Sequence, residues 1–171
     1  MHECNRQTRR EFVATTEEPY HFTSSGLSNV FLVGMKYYRC ECGEVAAEIP
    51  AIKQLLMLIA RDLVEKADSL APEEVRFLRK RIRKSQAEFA KQIGLRPETL
   101  SRMERGETRT NERTDKLIRF TYALQSDDSL LLDQLRKAAD EMLEQWRHSG
   151  QPSKIVATVK NKAWESERVA A

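Results

Sequence analysis

Apolar positions along the chain change their spacing near residue 50, and the change predicts two kinds of structure. Residues 20–49 are rich in Val, Phe, Tyr and Thr and contain glycine turn signals, which is typical of short β-strands. After Pro50, apolar residues recur every three to four positions, which is the spacing of amphipathic helices. We therefore predict a mostly α-helical protein with a small β domain at its N-terminus.

Six helices are predicted after residue 50, and their breaks fall at Pro, Gly and capping residues. They span 51–67, 72–84, 85–93, 97–105, 112–124 and 129–147. On the fifth helix, the predicted inward face carries Leu117, Phe120 and Leu124. A later apolar run, 155–159, is either one added strand or irregular.

Helix signals are densest between Ser85 and Arg105. Ser85 and Glu88 form a capping box, Gly94 supplies a left-handed stop, and Pro97 stands in the first turn of the next helix. Two short helices joined by a tight turn form a helix-turn-helix, whose second helix enters the DNA major groove. The inward face of that second helix is predicted at Leu95, Leu100 and Met103. The alternative is a small helical domain that does not contact DNA.

Charge is concentrated in the same part of the chain. The formal net charge is only +3, but ten Lys and Arg accompany three Glu between Arg76 and Arg105. A basic block of this kind favours a polyanionic partner such as nucleic acid. A solvated charged helix face is the alternative interpretation.

The segment SQAEFAKQIGLRPETLSRMERGETR resembles the Cro/C1-type (XRE) helix-turn-helix over about 75–125. Upstream, GLSNVFLVGMKYYRCECGE and the two helical segments that follow resemble the zinc-finger/XRE proteins of the MqsA (YgiT-type) antitoxin group over about 20–84. The two resemblances imply an order of parts: a small β zinc-finger-like domain, a linker helix, an XRE helix-turn-helix bundle, a C-terminal helix and a tail. Their predicted bounds are 1–49, 50–71, 72–125, 126–148 and 149–171.

The XRE resemblance implies a set of DNA-contacting residues. Arg102 and Glu98 match the base-reading positions, where Arg forms a fork on guanine and Glu accepts from cytosine. Ser85 and Gln86 match the phosphate-contacting positions at a helix N-terminus. Arg96 replaces the customary Ser or Thr cap. The full expected set is Ser85, Gln86, Arg96, Glu98, Thr99, Ser101, Arg102, Thr108 and Arg109.

The MqsA resemblance implies a zinc site built from two CxxC pairs, and this chain departs from that pattern. It has Cys4, Cys40 and Cys42, with Gln7 where the second front cysteine would fall. His2 would complete a tetrahedral Cys3His set, and His21 is the other candidate nitrogen ligand. The alternative is a degenerate site that binds no metal.

Other classes of protein are disfavoured by what the sequence contains. We find no phosphate-binding glycine loop, no metalloprotease motif and no recognisable nucleophile–base pair, and we predict that the protein is not an enzyme. The acidic residues are expected on solvated helix surfaces. No run of 18 apolar residues and no signal-peptide core occurs, so the expected location is the cytoplasm, without membrane contact.

These patterns predict a sequence-specific DNA-binding repressor, expected to act as a homodimer on a double-stranded operator. One version is an antitoxin that also neutralises an mRNA-cleaving toxin and autoregulates its operon. The alternatives are a free-standing XRE-family regulator and a protein-interaction module whose β domain docks a partner. The dimer interface is predicted on an apolar stripe of the sixth helix. The alternative is that this stripe packs on its own domain. The stripe is Leu131, Leu135, Ala138, Met142 and Trp146.

Overall fold

The computed structural model describes residues 9–149, 153–160 and 163–170, with side chains described over 10–144. The chain divides into two compact units, Met1–Asp128 and Ser129–Ala171. Short strands precede five helices in the first unit, so the predicted fold class, mostly α with a small N-terminal β region, is confirmed. No helix in the described ranges is long and apolar enough to cross a membrane.

The N-terminal β region contains two small antiparallel sheets. Their strands are β1 (Arg9–Val13), β2 (Tyr20–His21), β3 (Phe31–Leu32), β4 (Lys36–Cys40) and β5 (Val45–Ala47). One sheet has the strand order β1-β4-β5 and the other pairs β2 with β3. A small core forms around Ala14, Met35 and Tyr37.

Strand β1 was missing from the sequence prediction, which began the strands at residue 20. Three of its five residues are charged, so its composition is unlike that of a strand. It forms because it is an edge strand that pairs with β4 along its whole length. The ring of Phe12 stacks on Tyr37 at a centroid distance of 5.4 Å, which adds apolar contact to the backbone pairing.

The helices of the first unit agree with the predicted ones to within three residues at each end. The second helix ends before Lys84 because Arg83 adopts a left-handed backbone with φ 56°. Fully buried side chains of this helical core include Leu78, Phe89, Leu100, Ile118 and Tyr122. The helices are α1 (Ile52–Glu65), α2 (Pro72–Arg81), α3 (Gln86–Gln92), α4 (Pro97–Glu104) and α5 (Glu112–Gln125).

The predicted inward face of α5 is wrong. Leu117, Phe120 and Leu124 are 38%, 50% and 52% exposed, whereas Ile118 and Tyr122 are almost completely buried. Thr114 and Asp115 are also buried and lie on the same face as Ile118 and Tyr122 at helical spacing. The apolar pattern favoured the wrong face because the buried face of α5 includes the polar residues Thr114 and Asp115.

Asp115 is buried because it joins α5 to the segment between α1 and α2. It accepts hydrogen bonds from the Leu70 amide at 2.7 Å and from Arg119 Nε at 2.6 Å. Arg119 Nη1 and Nη2 donate to backbone carbonyls at the end of α1 and just after it, those of Leu63, Val64, Lys66 and Asp68. These carbonyls have no partner within the helix, so the arginine supplies their donors.

The second unit contains α6 (Ser129–Ser149) and a hairpin of β6 (Ser153–Lys160) with β7 (Ala163–Ala170). The tail is therefore two paired strands where the sequence suggested one strand or none. On the predicted stripe of α6, Leu131 is buried, Leu135 is half-buried, and Ala138 and Met142 are exposed. The side chain of Trp146 lies outside the described residues.

Candidate nucleic-acid interface

The first helix of the motif, α3, begins with the predicted capping box. Ser85 Oγ accepts from the Glu88 amide at 3.2 Å, and Glu88 Oε2 accepts from the Ser85 amide at 2.8 Å. The hydrogen bond from the Ser85 hydroxyl, and after it the one from the Ser85 amide, holds the pKa of Glu88 below its ordinary value. The cap fixes where α3 begins and therefore where its positive N-terminus lies.

The turn between α3 and α4 is set by Gly94, whose φ of 69° is left-handed. The Leu95 amide donates to the Ala90 carbonyl at 2.8 Å and closes the end of α3. Helix α4 then begins at Pro97, and Arg96 stands at its N-cap without a capping hydrogen bond from its side chain. The departure from the usual Ser or Thr cap leaves the Arg96 side chain exposed beside the start of α4.

The inner face of α4 packs through Leu100, Met103 and Glu104, all of which are buried. Leu100 is fully buried and Met103 is 4% exposed. Burying side chains of this size contributes roughly 1.5–3 kcal/mol each. The predicted inward face is therefore confirmed at Leu100 and Met103, while Leu95 is half-buried.

Glu104 ties three elements together, and the sequence analysis missed it by placing the acids on solvated surfaces. Its carboxylate accepts from Arg79 at 2.6 and 2.8 Å and from Gln86 Nε2 at 2.8 Å. Its backbone carbonyl accepts from Arg76 at 2.8 Å. Its helical spacing from Leu100 was the signal that could have placed it on the buried face.

Burial and hydrogen bonding act in opposite directions on the protonation of Glu104. Burial by itself would raise the pKa of this carboxyl group, but the hydrogen bonds from Arg79 and Gln86 outweigh it and hold the pKa below its ordinary value. The group is therefore an anion at neutral pH. As an anion it can keep Arg79 on α2, Gln86 on α3 and its own helix α4 in one fixed arrangement.

The outer face of α4 presents the charged residues that were predicted to contact DNA. Arg96, Glu98 and Arg102 are exposed, and the Arg102 side chain is 60% accessible. Thr99 and Ser101 are half-buried. A helix held through one face and charged on the other has the form of a recognition helix.

Beyond the end of α4, Glu107 lies against two arginines of that helix end. Its carboxylate is 2.6 Å from Arg105 Nε and 3.6 Å from Arg102 Nε. Arg105 Nη1 also donates to Ser101 Oγ at 2.5 Å. The hydrogen bond from Arg105 lowers the pKa of Glu107, and the same contact raises the pKa of Arg105. This cluster was not predicted from the sequence.

The residues expected to contact phosphates differ in their exposure and in their position in the motif. Ser85 is exposed at the start of α3, and Thr108 and Arg109 follow α4 as a half-buried and an exposed residue. Gln86 is half-buried and uses one N–H on Glu104, which leaves its amide a second N–H. The predicted residues therefore lie at the start of α3 and after the end of α4. Gln86 also donates a hydrogen bond to the buried Glu104.

Of the expected metal ligands, only Cys40 and Cys42 lie among the described residues. Cys40 is buried at the end of β4, and Cys42 is exposed in the turn before β5. Cys4 and His2 lie outside the described residues. His21 Nε2 is 2.8 Å from the Ser28 carbonyl, and its ring stacks on Phe31.

Cys40 and Cys42 would supply two of the four ligands of a tetrahedral zinc site. Within residues 10–144, no three His, Cys, Asp or Glu side chains gather as a metal site, so His21 does not join Cys40 and Cys42. The fit of a zinc ion therefore depends on ligands outside this range.

Comparison with known proteins gives one match. A family model described as helix-turn-helix matches residues 75–114, which contain α3, α4 and most of α2. Neither a curated protein nor a solved structure matches the chain.

The match and the geometry together define the class: residues 75–114 form a helix-turn-helix domain, a fold of DNA-binding transcription regulators. Within that class the matched segment is similar to domains of the Cro/C1 (XRE) type. The match does not extend to residues 20–74, so the MqsA-like character of the N-terminal region stays a prediction.

Proposed function

We propose that this protein is a homodimeric, sequence-specific transcriptional repressor whose helix α4 reads the major groove of its operator. The observation that carries the proposal is the arrangement of α4. Its inner face is fixed by Leu100, Met103 and the buried Arg79–Glu104 ion pair, while Arg102 is exposed on its outer side. A base-reading side chain needs a rigid support of this kind, since small displacements break a bidentate contact.

Base reading is assigned to Arg102 and Glu98. The guanidinium of Arg102 would form a fork on guanine O6 and N7, and the Glu98 carboxylate would accept from cytosine N4. Arg96, Thr99 and Ser101 would line the same groove. Ser85, Gln86, Thr108 and Arg109 would bind phosphates and set the register, which affects affinity more than sequence preference.

Dimerisation is proposed because one short helix contacts too few base pairs to define an operator. A two-fold dimer presents two α4 helices to successive major grooves, about 34 Å apart. Leu135, Ala138 and Met142 of α6 support this step, since they continue the stripe of buried Leu131 and remain half-buried or exposed.

The antitoxin version of the proposal rests on the resemblance of residues 20–84 to the MqsA group. The proposed partner surface is in the N-terminal β region, where the apolar side chains of Val13, Phe31 and Val33 are each more than half exposed. A free-standing regulator would have the same DNA-binding domain and lack the toxin.

Selection of binding sites from a randomised duplex pool tests the repressor proposal. We expect enrichment of one inverted repeat, bound roughly a thousandfold or more tighter than a scrambled duplex at physiological salt. Binding without any enriched sequence, or with no dependence on salt, would instead support the interaction-module alternative. A neighbouring gene for a small ribonuclease, whose product co-purifies with this chain, would distinguish the antitoxin from the free-standing regulator.

Zinc binding in the N-terminal region is proposed with the ligands Cys4, Cys40, Cys42 and His2. The support is the chemistry of the donor set: two thiols two residues apart at one β-turn can take part in a tetrahedral site. A bound zinc would stabilise a region whose core is small.

A further inference from the structure

Glu107 lies beside the proposed DNA-contacting helix, and neither the family match nor the predicted set of DNA contacts gives it a role. It lies just after α4, where the chain turns through Gly106 with a left-handed φ of 78°. The Glu107 amide donates to the Arg102 carbonyl at 2.9 Å, so the turn itself carries the Glu107 carboxylate back toward the helix. Its position follows from the helix end and does not depend on its side chain alone.

The carboxylate of Glu107 is shared between two arginines. It receives a hydrogen bond from Arg105 Nε at 2.6 Å and lies 3.6 Å from Arg102 Nε. Arg105 is held a second time by Ser101 Oγ. Glu107 and the two arginines are about half exposed, so these contacts are screened by water and add little to folding stability. Stability therefore does not account for the arrangement.

The contact to Arg102 is made on the Nε side of the guanidinium. A fork on guanine can be formed by the two terminal nitrogens, Nη1 and Nη2, of the same group. A carboxylate 3.6 Å from Nε restricts the orientation of the guanidinium group. A restricted side chain loses less conformational entropy when it binds a base.

The same carboxylate also acts on DNA directly. Its negative charge is repelled by phosphates within a Debye length, about 8 Å at physiological ionic strength. On DNA without the operator sequence, Arg102 and Arg105 can gain only phosphate contacts, and Glu107 already supplies an equivalent anion. Removing Glu107 should therefore favour non-specific binding.

We propose that Glu107 is a specificity-determining residue: it positions Arg102 for base reading and lowers binding to DNA that lacks the operator sequence. This inference rests on the proposed function, in which Arg102 reads a base. In base reading, Glu107 acts through Arg102 and is a positioning residue, so its removal should change base preference as well as the affinity for DNA in general.

The test uses the full chain, with the operator duplex obtained by site selection and a scrambled duplex of equal length. In Glu107→Gln, we expect affinity for the scrambled duplex to rise about three- to tenfold. Operator affinity should stay equal or fall, so that the ratio of the two affinities drops by at least about threefold. Repeating the selection with this variant should show relaxed preference at the base read by Arg102.

The matched control is Glu11→Gln, which removes the same charge from an exposed carboxylate paired with Lys36 in the N-terminal sheet. It should leave the affinity ratio unchanged. Thermal unfolding of both variants should match the wild type, which excludes loss of folding as the cause. In the Arg102→Ala background, Glu107→Gln should no longer change base preference.

Two outcomes overturn the inference in different ways. If Glu107→Gln raises both affinities equally and leaves base preference unchanged, Glu107 is only a surface charge, while the role of Arg102 stands. If Arg102→Ala itself leaves the affinity ratio unchanged, the assignment of Arg102 fails, and the inference fails with it.

Discussion

Two buried carboxylates, Glu104 and Asp115, each accept hydrogen bonds from an arginine and from a group on another element. Glu104 binds Arg79 and Gln86, and Asp115 binds Arg119 and the Leu70 amide. A buried carboxylate is tolerated when its hydrogen-bonding capacity is satisfied in this way. These single residues therefore fix how the helices around α4 meet.

Replacing Glu104 by Ala should destabilise the protein by about 3–5 kcal/mol, because Arg79 would remain buried without its counter-ion. Chemical denaturation of the two proteins measures the difference in the free energy of unfolding. Glu112→Ala, which removes an exposed carboxylate paired with Lys116, is the matched control and should leave the free energy of unfolding close to that of the wild type. Equal stability of Glu104→Ala and the wild type would contradict the role given to the ion pair.

The contribution of Glu104 should also depend on pH. Its pKa is lower in the folded protein than in the unfolded chain, so the folded state binds fewer protons. The stabilisation is fully present above the ordinary glutamate pKa of about 4.3 and is lost as the pH falls through the lower folded value. The difference between wild type and Glu104→Ala should shrink over that acidic interval.

At the scale of elements, apolar periodicity predicted where helices begin and end but not always which face is buried. Capping and turn residues are local signals, and Ser85, Gly94 and Pro97 marked α3 and α4 correctly. The buried face of α5 depends on the tertiary partners of Asp115, which the periodicity of the sequence does not contain. Strand β1 depends in the same way on pairing with β4.

The corrected face of α5 predicts an asymmetry between neighbouring residues. Ile118→Ala should cost about 2–5 kcal/mol because it leaves a cavity in the core. Phe120→Ala removes a larger side chain, but that side chain is half exposed and should cost much less, about 1 kcal/mol or under. Chemical denaturation of both variants measures the two losses in the free energy of unfolding. A larger loss for Phe120→Ala than for Ile118→Ala would support the buried face predicted from the sequence.

The proposed role of α6 in dimerisation is tested by Leu135→Asp. A charged side chain in the centre of an apolar interface should dissociate the dimer, because the carboxylate loses hydration without gaining a partner. Light scattering should report half the mass of the wild type, with the helical circular-dichroism signal retained. A dimeric Leu135→Asp protein with an unaltered fold would exclude this stripe as the interface.

At the scale of the whole molecule, the sequence predicted the fold class and the recognition helix, because local helix signals and the XRE motif carry both. The candidate site was also predicted residue by residue; Arg96, Glu98 and Arg102 are exposed at α4 as expected, and their contact with DNA stays a prediction. The supporting contacts of Glu104 and the Glu107 cluster were not predicted, since they join residues on different elements or depend on a turn. The role of the N-terminal region remains a prediction.

The zinc proposal gives a whole-molecule prediction. Purified protein should carry about one equivalent of zinc by elemental analysis, and chelation should unfold residues 1–49 while DNA affinity is largely kept. Cys42→Ala should lose the metal, and because Cys42 is exposed, the change should not disturb packing directly. A metal-free protein with an unchanged fold would mean that the site is degenerate, with Gln7 in place of the missing cysteine as the reason.

The most direct test of the DNA-binding account is Arg102→Ala measured in a salt titration on operator and scrambled duplexes. The account predicts a loss of about 1–3 kcal/mol of specific affinity and relaxed preference at one base position in each half-site. Arg10→Ala, which removes an exposed arginine from β1, is the control and should leave the preference unchanged. If Arg102→Ala binds the operator as tightly and as selectively as the wild type, α4 does not read the groove through Arg102 and the account is wrong.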